Sequence, residues 1–203
     1  TWSHIYSPLR HAPWNGCTPT DLIFPFFLFI VGVSVHFSYQ YKTEGLTQKV
    51  FLKILRRTLI IFGLGLFLSL FPKFDFSVVR VPGVLQRISI VFFFSSILYL
   101  TTGWLTQIRI AVLLLFVYYI LMNFVPVPGL GEPNLEPGTN LGAWLDYTLL
   151  EGHLWVQSKT WDPEGILSTV PAIATGIIGM LTGKLFTEIK EPSVRVSWLF
   201  FIG

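Results

Sequence analysis

Charge is the scarcest commodity in this sequence. Asp, Glu, Lys and Arg make up 12% of its 203 residues, against roughly 25% in soluble domains. With 52% hydrophobic residues and a mean hydropathy of +0.63, little polar material is left to cover a water-soluble fold. Cysteine is nearly absent too: Cys17 stands alone, which excludes an internal disulfide. No internal repeat is present, and no metal is expected. The formal charge of +3 and the pI near 9.1 would suit nucleic acid at first sight. In a membrane protein, Lys and Arg retained on the cytoplasmic side account for them better, and no nucleic-acid partner is expected. The sequence opens at Thr1 without Met and stops at Gly203 inside an apolar segment, so a chain truncated at both ends is expected.

What is present comes in long uncharged runs. Leu22 to Tyr41, Thr58 to Pro72, Ile88 to Ile108, Ile110 to Gly131 and Gly165 to Gly183 hold no Asp, Glu, Lys or Arg. About 20 apolar residues cross a bilayer as a helix, and snorkelling Arg56 and Arg57 can lengthen the short second run. The expectation is an all-α polytopic bundle with five full membrane helices and the start of a sixth. They are placed at about 22–41, 55–72, 87–106, 109–125, 165–184 and 196–203, in a single membrane domain with an outer loop at 126–164.

Basic residues orient these helices. The connection from Gln40 to Arg57 carries Lys42, Lys49, Lys53, Arg56 and Arg57 against Glu44 alone. The positive-inside rule assigns it to the cytoplasm, which puts residues 1–21, 73–87 and 125–164 outside. On that threading nine of the 14 basic residues are internal and eight of the 11 acidic residues external, so the two signs agree.

In the long outer loop, Asn140 is a candidate N-cap for a short amphipathic helix lying on the outer membrane surface, built on Leu141, Trp144, Leu145, Thr148 and Leu149. The loop holds Glu132, Glu136, Asp146, Glu151, Asp162 and Glu164 against Lys159, a net charge of −5. Acids are tolerated on the outer side in any case; such a surface would also attract a cationic substrate such as an amine. In the fifth run Thr175, Gly179 and Gly183 recur every four residues, with Ala172 and Gly176 beside them, a spacing that admits close approach of another helix. Pro171 is expected to free a carbonyl and kink that run.

Three polar clusters fall at helix entrances on the outer side: residues 11–21 (HAPWNGCTPTD), 80–87 (RVPGVLQR) and 161–165 (WDPEG). Helix entrances expose unpaired N–H groups that can hold an anion or oxyanion, and convergence of the three would make a site. The candidates are His11, Asn15, Asp21, Arg80, Gln86, Arg87, Asp162 and Glu164. Each has an ordinary reading as well. Asp21 can serve simply as an N-cap, and Arg80 and Arg87 as interfacial anchors, although Arg87 lies a turn inside its helix, where unpaired charge is costly. His4 and His153 read as surface residues, and His36 as a cap or a snorkelling group.

The string HAPWNGCTPTDLIFPFFLFIVGVS, followed by RVPGVLQR and then WDPEGILST, resembles the heparan-α-glucosaminide N-acetyltransferase family and its bacterial relatives. The blocks stand in the family's order and span nearly the whole chain. The resemblance implies an integral membrane enzyme that takes the acetyl group of cytoplasmic acetyl-CoA and delivers it to the amino group of a terminal glucosamine across the membrane. It implies His11 as the catalytic residue. Imidazole suits that role on its own chemistry, either as an acyl-accepting nucleophile or as a general base toward an ammonium. Asp21, Asp162 or Glu164 would hold the amine or orient the ring. Lys53, Arg56 and Arg57 are candidates for the phosphates of CoA, although the positive-inside rule already accounts for them. The expected setting is a bacterial inner membrane, with the His11 side facing the periplasm or exterior. Expected partners are the lipid bilayer and an amino-sugar or glycan acceptor, with homo-oligomerisation left open. The rival reading is a sugar or amino-sugar transporter using the same helix entrances, with His11 coupling to protons.

Overall fold

The computed structural model describes residues 6, 9–42 and 44–202, with side chains through residue 200; His4 lies outside these. Seven helices follow one another among the described residues: α1 (Pro19–Tyr39), α2 (Gln48–Leu70), α3 (Val84–Thr101), α4 (Trp104–Phe124), α5 (Leu141–Leu150), α6 (Thr169–Glu188) and α7 (Pro192–Ile202). The all-α expectation holds. Among the described residues four helices, α1, α3, α4 and α6, are long and apolar enough to cross a membrane by length and composition. The second run lies in α2, whose 23 residues open with Lys49, Lys53, Arg56 and Arg57. The last run lies in α7, which has 11 residues.

Local chemistry sets the boundaries that hydropathy could not. The third and fourth runs were expected to break near 106–109, but α3 ends at Thr101 and α4 begins at Trp104. Side-chain donors gather on the carbonyls at this break. Thr101 and Thr102 donate their hydroxyls back to Ile97 O (2.7 Å) and Leu98 O (2.6 Å), and Gln107 Nε2 donates to Thr102 O (3.0 Å). Leu98 O also takes the Thr102 N–H (2.9 Å), so it is Thr102 O that the helix end leaves open and Gln107 satisfies, with Gly103 as the N-cap of α4. In α6, Pro171 is the third helical residue. Its missing N–H falls in the first turn, where none is needed, so the expected kink and freed carbonyl do not arise. Asn140 is the N-cap foreseen for α5, its Oδ1 accepting from Ala143 N at 2.9 Å.

The bundle is organised around the crossing of α1 and α6. A Cβ on Gly32 would overlap the carbonyl of Gly176, and one on Gly179 would overlap the carbonyl of Phe29. Backbone therefore meets backbone, as the small-residue spacing foretold. The core beside this crossing collects Val35, Ile54, Phe92, Ala174, Ile177 and Met180 from α1, α2, α3 and α6. His36 is buried here and neither snorkels nor caps by its side chain. Its ring meets Thr187 Oγ1 at 3.0 Å and Tyr99 OH at 3.1 Å, linking α1, α6 and α3. A second cluster, Met122, Val127, Leu141 and Leu167, joins the end of α4 to α5 and to the entrance of α6. Through it α5 packs onto the bundle by one face, with Leu141, Ala143 and Asp146 buried.

Candidate functional site

The N-terminal ends of α1, α3 and α6 and the C-terminal end of α4 meet at one end of the bundle, and α5 closes the side between them. They enclose a cavity of about 1020 Å³, at the upper end of the roughly 300–1,000 Å³ common for small-molecule sites. Its lining includes His11 and Asp21 from the first polar block, Arg80 and Val84 from the second, and Trp161, Asp162 and Glu164 from the third. All three helix entrances therefore contribute to one space.

The first block is arranged around Asp21. This residue is the third of α1, and the N-cap is Thr18, which corrects the expectation of Asp21 as N-cap. Asp21 Oδ2 accepts from Thr18 N (2.8 Å), Thr18 Oγ1 (2.9 Å) and Ala12 N (3.1 Å). That leaves Oδ1 for His11 Nδ1, at 2.7 Å. A carboxylate accepts and does not donate, so the proton of neutral His11 sits on Nδ1 and the lone pair on Nε2. One oxygen of Asp21 builds the turn and the other sets the tautomer. The His11 side chain is 78% exposed and that of Asp21 27%, so the pair stands at the rim of the cavity. Asn15 is exposed and is not part of the lining.

The second and third blocks lock onto each other. Arg80 Nε donates to Asp162 Oδ2 (2.8 Å), and its Nη2 donates to Asp162 Oδ1 (2.5 Å) and to Glu164 Oε2. Burial works against the Arg80 charge, yet the two carboxylates outweigh it and its pKa is raised. Arg80 is thus held by the side chains of Asp162 and Glu164. Arg87 is buried behind the same turn, its Nη2 donating to Pro163 O (3.1 Å), Gly165 O (3.2 Å) and Ser168 Oγ. Gln86 and Arg87 border an adjoining apolar slot of about 410 Å³ between α2, α3 and α6, which they share with Glu164. The entrances thus converge, but these two side chains face the neighbouring space.

Two residues carry more than their sequence context suggested. Asp146, read as one of several loop acids, is buried, and it accepts from Ile166 N (2.8 Å) and Asp162 N (3.4 Å). A Cβ on Gly165 would overlap its carboxylate, which is why the third block needs glycine there. Burial raises the Asp146 pKa, against the opposing effect of the two N–H donors. His153 is also no free surface group: its Nδ1–H donates to Val79 O (2.8 Å) and its carbonyl accepts from Val81 N (2.9 Å), tying the loop to the second block. The cavity lining carries Asp21, Asp146, Asp162 and Glu164 against Arg80 as its fixed charge, an excess of acid. Glu132, Glu136 and Glu151 are exposed outside it.

Lys53, Arg56 and Arg57 are exposed on α2, away from the cavity. Arg57 lies over the ring of Phe92 at 4.9 Å. Phe92 is eight residues along α3 from Val84, about 12 Å down the helix axis.

Fold and site together define an α-helical integral membrane bundle with an oriented histidine at the rim of an acid-rich cavity at one end. The chain is similar to the heparan-alpha-glucosaminide N-acetyltransferase of Mus musculus, 26% identical over 254 residues that cover 98% of this chain and 38% of the mouse protein. It is likewise similar to the Homo sapiens protein of that name, at 27% identity with the same coverage of 98% and 38%. The chain therefore spans well under half the length of these relatives. No protein-family model matches it.

Proposed function

We propose that this chain forms the transfer site of a membrane-embedded N-acetyltransferase. It moves the acetyl group of cytoplasmic acetyl-CoA to the amino group of a glucosamine-type sugar on the opposite side. The observation that carries the reading is the His11 Nδ1–Asp21 pair at 2.7 Å, on the rim of the cavity where all three helix entrances meet. The names of the two relatives supply the reaction class and the acceptor.

Two routes satisfy the chemistry. In the covalent route, Nε2 of His11 attacks the thioester carbonyl, the C–S bond breaks, and the CoA thiolate leaves to take up a proton. The sugar amine then attacks the acyl-imidazole, the new C–N bond replaces the bond to Nε2, and the amine's surplus proton passes to the imidazole. In the direct route, Nε2 takes the ammonium proton and the freed amine attacks the thioester, again releasing the thiol. Asp21 stabilises the cationic imidazole in either case. Donor access from the cytoplasmic side is supported by the interior of α3. Gln86, Ser89 and Ser96 are all buried, at positions i, i+3 and i+10, so they mark one polar face over about 15 Å. Arg57, beside Phe92, is the nearest of the three α2 cations to that face along α3 and suits a phosphate of the nucleotide.

Radiolabelled acetyl-CoA given to the purified protein without acceptor tests the routes, because the covalent one alone leaves label on the protein. His11→Ala is expected to abolish transfer to glucosamine while CoA binding persists. Near-normal turnover by that variant overturns the assignment.

A further inference from the structure

We propose that Trp14, Trp155 and Trp161 form a seat for the pyranose ring of the acceptor, so that the cavity selects a sugar ring over a simple amine. The identity of the acceptor rests on the acetyl-transfer reading above; the seat itself follows from the geometry of the indoles. All three line the cavity. Trp161 is central, with ring centroids 5.0 Å from Trp14 and 5.7 Å from Trp155 and interplanar angles of 74° and 66°. Rings at such angles make a corner with differently facing planes, not a closed stack.

The corner is assembled from distant parts of the chain. Trp14 belongs to the segment before α1, and Trp155 and Trp161 belong to the segment before α6. Trp14 Nε1–H donates to Leu135 O at 2.7 Å, which spends its one polar group on the outer loop. What Trp14 has left to offer is apolar ring surface, and it remains 46% exposed. Tryptophans near a membrane interface ordinarily spread around the lipid-facing perimeter. These three instead gather on one cavity and touch one another. A sugar ring has an apolar face of C–H groups and a polar edge, so it can lie against an indole while its edge reaches polar side chains. Gln157 of the lining supplies such a group. Trp14 is three residues from His11, at most about 10 Å along an extended chain. A ring seated there keeps its amine near Nε2 of His11 and beside the acidic excess of the lining.

The test measures binding to the intact protein without acetyl-CoA, using glucosamine and ethanolamine, a ringless amine of the same charge. Glucosamine is expected to perturb indole fluorescence in the wild type, and ethanolamine is not. Trp14→Ala and Trp155→Ala should each weaken glucosamine binding by about tenfold, while Trp14→Phe retains most of the affinity and ethanolamine binding is unchanged in all three variants. Unaltered indole emission with glucosamine, an unchanged glucosamine affinity in both alanine variants, or a parallel loss for ethanolamine would each overturn the seat. A wild type that binds glucosamine in this way but never acetylates it would overturn the proposed reaction and leave the seat standing.

Discussion

Replacing Asp21 by Asn tests whether the His11–Asp21 pair is part of the chemistry or only part of a turn. The amide keeps one oxygen, which can still accept from Thr18 N and Ala12 N as Oδ2 does now, at 2.8 and 3.1 Å. Its NH2 group then faces His11 Nδ1 in place of an acceptor. A donor at that position favours the tautomer with the proton on Nε2, which removes the lone pair the reaction needs. General acid–base groups contribute about 10²- to 10⁴-fold to rate. Because the His11 side chain is 78% exposed, water competes for Nδ1 and the lower end applies. The expected loss in kcat is therefore about 10²-fold, with KM for glucosamine and the thermal midpoint little changed. The assay is acetyl transfer from labelled acetyl-CoA to glucosamine in proteoliposomes, run beside a melting curve. A rate within twofold of wild type would refute the argument. A collapse of the melting curve would assign Asp21 to the turn alone.

Three further outcomes follow from the packing and the charges. Gly32→Ala and Gly179→Ala push a Cβ into opposing backbone and should each destabilise by about 1–3 kcal/mol in thermal melts; Gly63→Ala, with open space around it, should be neutral or stabilising. The raised pKa of buried Asp146 means that the folded chain holds its proton more tightly than the unfolded one. Stability should therefore fall as pH rises from the ordinary carboxylate range through the folded pKa; Asp146→Asn should flatten that slope, and an identical slope in the variant would contradict it. Single cysteines between Gln40 and Lys53, in a protein without Cys17, should resist a membrane-impermeant thiol reagent in right-side-out vesicles. Those between Gly129 and Gly138 should react, and the reverse pattern would invert the orientation.

Uncharged runs and turn residues are one-dimensional signals, and they revealed the helices, the close packing of α6 and the N-cap at Asn140. They also located the three blocks, because proline, glycine and polar groups at helix entrances stand out against apolar surroundings. The break at Thr102 and Gly103 fell inside a stretch where hydropathy does not change, so the uncharged runs placed it a few residues late. Asp146 was hidden for a different reason. An acid in a loop reads the same whether it is exposed or buried, and the difference shows in the N–H groups of Asp162 and Ile166 that fold onto the Asp146 carboxylate and in the bare Gly165 packed against it. The tryptophan corner likewise needs Trp14 and Trp161 to be adjacent, which a separation of 147 positions in the sequence does not disclose. Gln86 and Arg87 were read together with the rest of their block, but they border the adjoining slot. Helical rotation of about 100° per residue carries Gln86 to the far side from Val84, whereas Arg87, only about 60° from Val84, is drawn behind the turn by Pro163 O, Gly165 O and Ser168 Oγ.

The glycine crossing of α1 and α6 has a mechanical consequence. Where backbone rests on backbone, no rotamer can shift to let the two helices slide apart, so the stretch bearing His11 and the turn bearing Asp162 and Glu164 are mounted on one rigid frame. Those two flanks behave as a fixed jaw. The opposite wall is held by side chains instead: α5 and the 126–140 loop rest on the end of α4 and the entrance of α6 through the small cluster of Met122, Val127, Leu141 and Leu167, and Asp146 of α5 accepts from Asp162 N and Ile166 N. The Trp14 indole, bonded to Leu135 O, ties the segment before α1 to that same wall.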